Sequence, residues 1–233
     1  MVYLATPPLA LLGGTFDPVH YGHLRIADEA RRLLGLSRVA LVPASDPPHR
    51  SRPVASAADR LAMLRLAVAE FPGLSVDERE LTRKGKSYTV ATLEELRSED
   101  TLRPLLLLLG ADAYRGLAGW HRWSAIFVLA HVVVIARPGT ALDALPAALA
   151  MHAWQRTVSD SRVLRTTPAG AIYFQPVTPQ PISASAIRDL LAGAPGPPGP
   201  IAAAALHTLL PAAVLSYIVR NQLYTAEKRP DAP

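Results

Sequence analysis

The sequence of 233 residues predicts an α/β protein with a doubly wound parallel sheet. Two observations support this prediction. Short apolar runs of strand length alternate with segments of helical spacing along the chain, and the first run leads through two glycines into a helix. The order of strand, crossover helix and strand implies right-handed βαβ units with parallel strands. Half of the residues are hydrophobic, which is enough for one core, so we expect a single domain over residues 1–233.

The first strand is predicted over residues 9–12 and the first helix over residues 24–34. The stretch between them reads Gly-Gly-Thr-Phe-Asp-Pro-Val-His-Tyr-Gly-His. Adjacent glycines let the backbone approach a ligand, and the start of a helix presents free N–H groups that suit phosphate. His20 and His23 are three apart, so they share one face of the first helical turn and can donate hydrogen bonds to charged oxygens. The alternative is a glycine turn with surface histidines.

A second strand is predicted over residues 38–43, and a proline-rich, basic loop follows it over residues 44–53. The loop would emerge at the carboxyl edge of the sheet, where α/β proteins bind ligands. His49 and Arg50 lie in it, and the arginine would supply a cation at that edge. An ordinary solvated loop is the alternative.

The next helix is predicted over residues 56–70, with Ser56 as its cap and Asp59 at the position of a capping-box acid. A short strand follows over residues 74–76. The predicted buried stripe of this helix consists of Leu61, Leu64 and Val68.

The middle of the chain contains a second helix start and the most apolar run. A helix that begins at Thr89 and runs to about residue 98 offers N–H groups to a carboxylate, although a plain helix cap explains it equally well. Residues 105–109 predict a central strand. Asp112 follows that strand closely, where it can meet a ribose hydroxyl, cap the next short helix, or do both.

Two tryptophans come next in the chain. Trp123 lies four residues before Phe127, a spacing that fits the core. Trp120 and His121 precede that helix and are predicted on a loop. From the residues alone, a tryptophan with apolar neighbours is expected in the core, and this holds for Trp120 too.

Two further strands are predicted over residues 132–136 and 171–174, with a helix over residues 142–154 between them. A C-terminal helical portion then extends over about residues 181–224. Its first helix carries Ser183 and Ser185 in the first turn and Arg188 one turn later, which is a second helix start suited to phosphate. Capping by Ser183 is the alternative.

The end of the chain combines a loop, a helix and a tail. A loop rich in proline and glycine covers residues 193–200, and Pro211 opens the last helix. The tail over residues 225–233 is expected to be disordered. The apolar face of the last helix is predicted to contain Val214, Leu215, Ile218, Val219 and either Gln222 or Leu223.

Composition excludes several classes of protein. The sequence has no cysteine, so disulfides and thiolate catalysis are excluded. The net charge is +5, but the arginines are scattered, so no nucleic-acid partner is expected. No apolar run reaches the length of a membrane helix and no secretory signal is evident, so we expect a cytoplasmic protein without membrane contact. A homo-oligomer is left open.

The stretch over residues 13–23 resembles the GG(T/S)FDPxHxGH signature of bacterial nicotinate-mononucleotide adenylyltransferases, which belong to the HxGH nucleotidyltransferase superfamily. The loop with His49 and Arg50 resembles the PPHK-type loop of that family, with arginine in place of lysine. Three further strings, SYT-x-x-T-L at residues 87–93, GAD at residues 110–112 and ISxTxIR at residues 182–188, also match. In the last, Ser185 replaces the commoner threonine and keeps the hydroxyl.

This resemblance implies a Rossmann-like nucleotidyltransferase fold with a C-terminal helical portion. It also implies an activity, the transfer of AMP from ATP to nicotinate mononucleotide with Mg²⁺, giving nicotinate adenine dinucleotide and pyrophosphate. The implied catalytic residues are His20, His23 and Arg188, without a protein metal site. The implied ATP-binding residues are Gly13, Gly14, Thr15, Phe16, Ser183, Ser185 and Arg188. The implied mononucleotide-binding residues are His49, Arg50, Thr89, Asp112, Trp120 and His121.

Three alternatives to this function remain at this point. A related enzyme could transfer AMP or CMP to another phosphorylated acceptor, but such chains lack the series formed by the SYT string, the GAD string and the family tryptophan that Trp120 matches. The acceptor could be the amide, nicotinamide mononucleotide, which the residues by themselves do not exclude. A nucleotide-binding module without catalysis is disfavoured, because both histidines and the Ser/Arg helix start occur together.

Overall fold

The computed structural model describes residues 6–45, 52–136, 145–193 and 199–225. Within these residues the strands form one parallel sheet, in which each predicted strand is present with ends that differ by at most two residues. The strands are β1 (Leu9–Gly14), β2 (Val39–Pro43), β3 (Leu74–Val76), β4 (Leu105–Gly110), β5 (His131–Ala136) and β6 (Ile172–Pro176). Their order in the sheet is β3-β2-β1-β4-β5-β6.

Helices connect the strands and form the C-terminal portion. No helix in the described ranges is both long enough and apolar enough to cross a bilayer. The helices are α1 (Tyr21–Leu33), α2 (Ala57–Val68), α3 (Arg79–Thr82), α4 (Thr89–Glu99), α5 (Ala111–Arg115), α6 (Ile126–Leu129), α7 (Ala147–Arg156), α8 (Val163–Thr166), α9 (Ala184–Ala192), α10 (Pro200–Leu209) and α11 (Ala212–Arg220).

The sheet is buried on both faces, as expected for a doubly wound α/β protein. Alternate residues of β4 belong to two different core clusters: Leu106 and Leu108 to one, and Leu105, Leu107 and Leu109 to the other. A strand that is covered on both sides is apolar at every position. For this reason the run of five leucines predicted a central strand correctly.

The chain order reverses at β1, which lies between β2 and β4. In an open parallel sheet, such a reversal leaves a crevice outside the carboxyl ends of the strands, where ligands bind. At this end Gly14 of β1 pairs with Pro43 of β2, and Leu12 of β1 pairs with Leu108 of β4. The segments that follow β1, β2 and β4 therefore emerge at one edge of the sheet.

The C-terminal helices pack back on the first half of the chain. α11 contacts α2, and the hydroxyl of Tyr217 donates a hydrogen bond to Asp59 at 3.0 Å. Leu223 and Tyr224, which follow α11, are buried. The predicted helical portion is confirmed, with α10 as a helix that the sequence did not indicate. Residues 194–198 of the predicted loop, and the predicted tail from residue 226 onward, lie outside the described residues.

The apolar spacing that predicted α1 begins at residue 24, three residues after the helix itself starts, whereas the predicted placement of His20 and His23 at its first turn is confirmed. The helix begins at Tyr21, because His20 takes the N-cap position and its backbone N–H donates to Nδ1 of His23 at 3.4 Å. The two histidines thus belong to the helix terminus itself. The helix predicted over residues 142–154 also begins later, at Ala147, after an extended Pro146, and residues 142–144 lie outside the described residues.

The predicted buried face of α2 was wrong at Leu61, which is half-buried and belongs to neither core cluster. Leu64 is buried as predicted, and Val68 is half-buried and packs against the core. The helix is rotated so that an arginine faces inward, because the carbonyl groups of two loops accept its hydrogen bonds. The buried residues of α2 are Arg60, Met63, Leu64 and Ala67.

Candidate active site

A cleft of about 1080 Å³ opens at the carboxyl ends of β1 and β4. One of its walls is formed by the segment after β1 and the start of α9, and the other by the start of α4 and the segment after β4. Of the residues predicted to bind ATP or its phosphates, the cleft is lined by Gly13, Gly14, Thr15, Phe16, His23, Ser185 and Arg188. Of those predicted to bind the mononucleotide, it is lined by Thr89, Asp112, Trp120 and His121. His49 and Arg50 lie outside the described residues.

The segment from Thr15 to Asp17, which we call the phosphate turn, is held in an uncommon conformation. Phe16 has a φ of +51°, in the left-handed region, which costs a non-glycine residue about 1–2 kcal/mol. Its ring folds against the preceding backbone, so a Cβ at Gly14 would lie 3.0 Å from the ring. The second glycine is therefore required by the side chain of Phe16. Gly13 has no such neighbour and faces open space.

His20 and His23 form a stacked pair at the start of α1. Their ring centroids are 3.7 Å apart, with 24° between the ring planes, and the ring of Phe16 meets His23 edge-on at 5.1 Å. His23 lines the cleft, whereas His20 lies behind it and is buried. Burial lowers the pKa of His20 to about 4, so its imidazole is neutral near pH 7. A neutral ring offers one N–H donor, not the two of an imidazolium.

The pairing of the two rings depends on Gly22. A Cβ at this position would lie 2.8 Å from Nδ1 and 2.9 Å from Cε1 of His20, and 3.3 Å from Cβ of Ile182. The middle glycine of the His-x-Gly-His string thus leaves room for the first histidine.

Asp17 connects the phosphate turn to distant parts of the chain. Its carboxylate accepts hydrogen bonds from the backbone N–H groups of Val54, at 2.7 Å, and Ala55, at 3.1 Å. It also accepts one from the hydroxyl of Tyr224, at 2.7 Å. The backbone carbonyl of Asp17 accepts a fourth from Arg188, at 2.7 Å. Sequence reasoning did not single out Asp17 or Tyr224, because the partners are remote in sequence.

Arg60 is almost completely buried and holds the same turn through hydrogen bonds of its guanidinium. One terminal nitrogen of its guanidinium donates to the carbonyls of Thr15, at 2.8 Å, and Ala44, at 2.7 Å, and the other donates to Ser45 at 3.4 Å. These acceptors belong to the segments that follow β1 and β2. The one sequence signal for this role is the spacing of Arg60 from Leu64 and Ala67, which places an arginine on the buried face of a helix.

The start of α9 presents Arg188 to the cleft. Ser183 is the N-cap of this helix: its hydroxyl accepts the backbone N–H of Ala186 at 3.2 Å and does not line the cleft. Ser185 lines the cleft, and Arg188 donates to it at 3.5 Å. The alternative interpretation of Ser183, as a cap, is therefore correct, and a direct contact with phosphate stays a prediction for Ser185 and Arg188.

The opposite wall carries the residues predicted for the mononucleotide. Thr89 is the first residue of α4, and the ring of the preceding Tyr88 packs against His121 with centroids 4.4 Å apart. Trp120 lies on the predicted loop and is half-buried. Asp112 does not cap α5, whose N-cap is Gly110; its carboxylate is exposed at the cleft and forms an ion pair with Arg115. Trp123 packs edge-on against Phe127, as expected from their spacing.

Glu80 is a further residue of this wall that the sequence reasoning missed. Its carboxyl is buried and accepts a hydrogen bond from the hydroxyl of Thr92 at 2.6 Å, and Arg83 donates to the same hydroxyl at 2.7 Å. Burial raises the pKa of Glu80, although the hydrogen bonds from Thr92 and Ser87 act in the opposite direction. This carboxyl is thus part of a hydrogen-bonded wall.

No group of three or more metal-binding side chains occurs in the described part of the chain. The carboxylate of Asp17 lines the cleft, but both of its oxygens already accept hydrogen bonds from the protein.

Comparison with known proteins identifies the class that this fold and cleft define. The cytidylyltransferase-like family model matches residues 11–190, so the chain is a nucleotidyltransferase of that class. Within the class it belongs to the nicotinate-nucleotide adenylyltransferase family. A relative from Acidithiobacillus ferrooxidans is 46% identical over 93% of this chain and 95% of its own. One from Halorhodospira halophila is 48% identical over 93% and 94%. Both are named "Probable nicotinate-nucleotide adenylyltransferase". The family predicted from the signature is confirmed.

Solved structures confirm the fold. Nicotinic acid mononucleotide adenylyltransferase from Plasmodium falciparum, in complexes with APC and with NaAD, has a TM-score of 0.67 in each case. The match covers 94% of this chain and 98% of the other, at sequence identities of 15% and 16% respectively. The similarity at this level concerns the arrangement of the sheet and helices.

Proposed function

We propose that the protein transfers AMP from ATP to nicotinate mononucleotide and releases pyrophosphate, a step of NAD biosynthesis. The observation that carries this proposal is the convergence of two sets of side chains on one cleft. His23, Ser185 and Arg188 line one wall with the phosphate turn, and Thr89 and Trp120 line the other. Membership of the adenylyltransferase family supports the same reaction.

The proposed reaction has no covalent enzyme intermediate. A phosphate oxygen of the mononucleotide attacks the α-phosphorus of ATP in line, the bond from that phosphorus to the α,β-bridging oxygen breaks, and pyrophosphate leaves with the electron pair. Such transfers depend on positioning and on stabilisation of charge more than on proton transfer. The cleft suits this requirement because its polar groups are held by the protein before substrate binds.

The wall formed by the phosphate turn, His23, Ser185 and Arg188, which we call the ATP wall, would act through hydrogen-bond donors. His23 would donate to the transferring phosphoryl group. Its Nδ1 accepts the backbone N–H of His20, which leaves Nε2 as the ring nitrogen that would donate. His20 is neutral and buried, so its role would be to support His23 and donate a single hydrogen bond. Arg188 and Ser185 would neutralise the leaving pyrophosphate.

The wall that contains Thr89, Asp112, Trp120 and His121, which we call the acceptor wall, would bind nicotinate mononucleotide. Trp120 would stack on the pyridine ring, while the first N–H groups of α4 at Thr89, together with His121, would receive the carboxylate. Asp112 would bind at the junction of the two substrates, and His49 and Arg50 would contact the mononucleotide phosphate. Mg²⁺ would enter with ATP as part of the substrate, and its usual ligands are phosphate oxygens and water. The proposed location is the cytoplasm.

A turnover assay tests this proposal. The protein is incubated with Mg²⁺ and ATP and either nicotinate mononucleotide or nicotinamide mononucleotide, and the dinucleotide and pyrophosphate are quantified. We expect product from the acid, a much lower rate with the amide, and a large loss of activity in His23→Ala. A preference for the amide would overturn the acceptor assignment, and no product from either would overturn the activity. A His23→Ala variant within a few-fold of the parent would overturn the role of His23.

A further inference from the structure

Tyr224 joins the end of the described chain to the phosphate turn. It follows α11, its side chain is 1% exposed, and its hydroxyl donates to Asp17 at 2.7 Å. The residue has a φ of +63°, in the left-handed region. An uncommon backbone conformation in a tyrosine requires compensation by its surroundings. The hydrogen bond to Asp17 supplies part of that compensation.

The carboxylate of Asp17, which Tyr224 contacts, accepts hydrogen bonds from groups of the protein at both oxygens. Besides this hydroxyl, it accepts the N–H groups of Val54 and Ala55, so each oxygen has at least one internal donor. The phenol of Tyr224 stays protonated and so remains a hydrogen-bond donor, because burial and the negative charge of Asp17 raise the pKa of Tyr224. Asp17 therefore serves as a junction between the phosphate turn, the segment before α2 and the residues after α11.

The same junction reaches a residue of the ATP wall. The backbone carbonyl of Asp17 accepts a hydrogen bond from one terminal nitrogen of Arg188 at 2.7 Å. The side-chain and backbone groups of Asp17 thus hold Tyr224 and Arg188 at once. A shift of the Asp17 backbone would move the carbonyl that anchors Arg188 and would act on the adjacent Phe16, which is held at a φ of +51°.

We propose that Tyr224 is a positioning residue for the ATP half of the cleft: its hydroxyl holds Asp17, and Asp17 sets the phosphate turn and Arg188. This inference rests on the proposed function, in which Arg188 neutralises the leaving pyrophosphate. Tyr224 does not itself line the cleft, so it acts through its neighbours. The proposal implies that the residues after α11 contribute to the binding of ATP.

The test variant is Tyr224→Phe, which keeps the buried ring and removes the hydroxyl. The matched control is Tyr217→Phe, since Tyr217 also donates from the C-terminal helices to a carboxylate, that of Asp59 on α2. The hydrogen bonds of this carboxylate are to Ser56 and Tyr217 and not to the phosphate turn. For each variant, kcat and KM are measured for both substrates, and the binding of a non-hydrolysable ATP analogue is measured by calorimetry. The urea midpoint checks that each variant is folded.

For Tyr224→Phe we expect a roughly tenfold lower kcat/KM for ATP and similarly weakened binding of the analogue, which corresponds to about 1.4 kcal/mol. The KM for the mononucleotide and all properties of Tyr217→Phe should remain near those of the parent. A purely structural role would instead lower both substrates' parameters together or only the urea midpoint, and either result overturns the proposal. So does parental behaviour of Tyr224→Phe. If that variant does not fold, Asp17→Asn is measured with the same expectations. A parent that binds the analogue without turnover refutes the proposed function, while the analogue's affinity still decides the role of Tyr224.

Discussion

Replacing Gly22 by alanine separates the stability of α1 from the geometry of the active site. The new Cβ would lie 2.8 Å from Nδ1 of His20, whereas ordinary contact begins at 3.4 Å, so the ring must move by 3.4 − 2.8 = 0.6 Å. That ring is stacked on His23 with centroids 3.7 Å apart, so the displacement passes to the residue that lines the cleft. A displacement of about 1 Å at a reacting group can lower the rate about 100-fold. We therefore expect Gly22→Ala to lower kcat by about tenfold or more.

The free energy of unfolding of this variant should fall by about 0–2.5 kcal/mol. Overpacking costs about 1–3 kcal/mol, and alanine in place of glycine in a helix offsets about 0.5–1 kcal/mol of that cost. The assays are steady-state kinetics with both substrates and urea unfolding of the same sample. Gly193→Ala is the control, because a Cβ there has its nearest neighbour at 3.7 Å and the residue does not line the cleft. Activity of Gly22→Ala within twofold of the parent would refute the reasoning from ring packing.

Three further predictions concern pH, the support of the phosphate turn and the acceptor wall. His20 has a pKa of about 4 in the folded protein and about 6.5 in the unfolded chain, because burial disfavours the charged imidazole. Its contribution to the free energy of unfolding is therefore complete above pH 6.5 and is lost as the pH falls toward 4. Over that interval urea unfolding should show a loss of about 3 kcal/mol, and His20→Gln should reduce the slope; an unchanged slope would contradict it. Arg60→Met should destabilise by about 3 kcal/mol and lower kcat, since buried carbonyls lose a charged donor. Arg65→Met, on the exposed face of the same helix, should cost less than about 1 kcal/mol, and equal effects would refute this reading. Trp120→Ala should raise the KM for the mononucleotide about tenfold and leave the KM for ATP unchanged. The control is Trp154→Ala, which removes an exposed tryptophan and should change neither KM. A rise in the KM for ATP instead would exclude stacking of Trp120 on the acceptor.

The strands were the most predictable part of the fold. The central strands were recognised because a strand of a doubly covered sheet is apolar at every position, so their prediction needs no knowledge of which face is buried. Helix faces were harder to predict. On α2 the apolar spacing selected Leu61, but the packing of the loops after β1 and β2 placed Arg60 inward instead. A charged side chain can be buried only where acceptors meet it, and those acceptors come from distant segments.

The candidate site was predictable where its chemistry lies within one segment. The glycine turn, the paired histidines and the start of α9 each combine a helix terminus with nearby donors, and such local arrangements can be recognised in a sequence. Ser183 shows the limit of that reasoning. Its hydroxyl caps α9 and does not face the cleft, because capping and phosphate binding use the same residue types at the same position.

By itself the sequence determined the parallel sheet, the family and the cleft-lining residues that belong to short motifs. These properties follow from local spacing of apolar, glycine and polar residues. The tertiary structure alone decided how the motifs are held in place. Tyr224 and Asp17 are 207 residues apart, and Arg60 is 45 residues from Thr15. Hydrogen bonds across such separations exist only after the chain has folded, since a buried polar group is stable only where its partners converge on it.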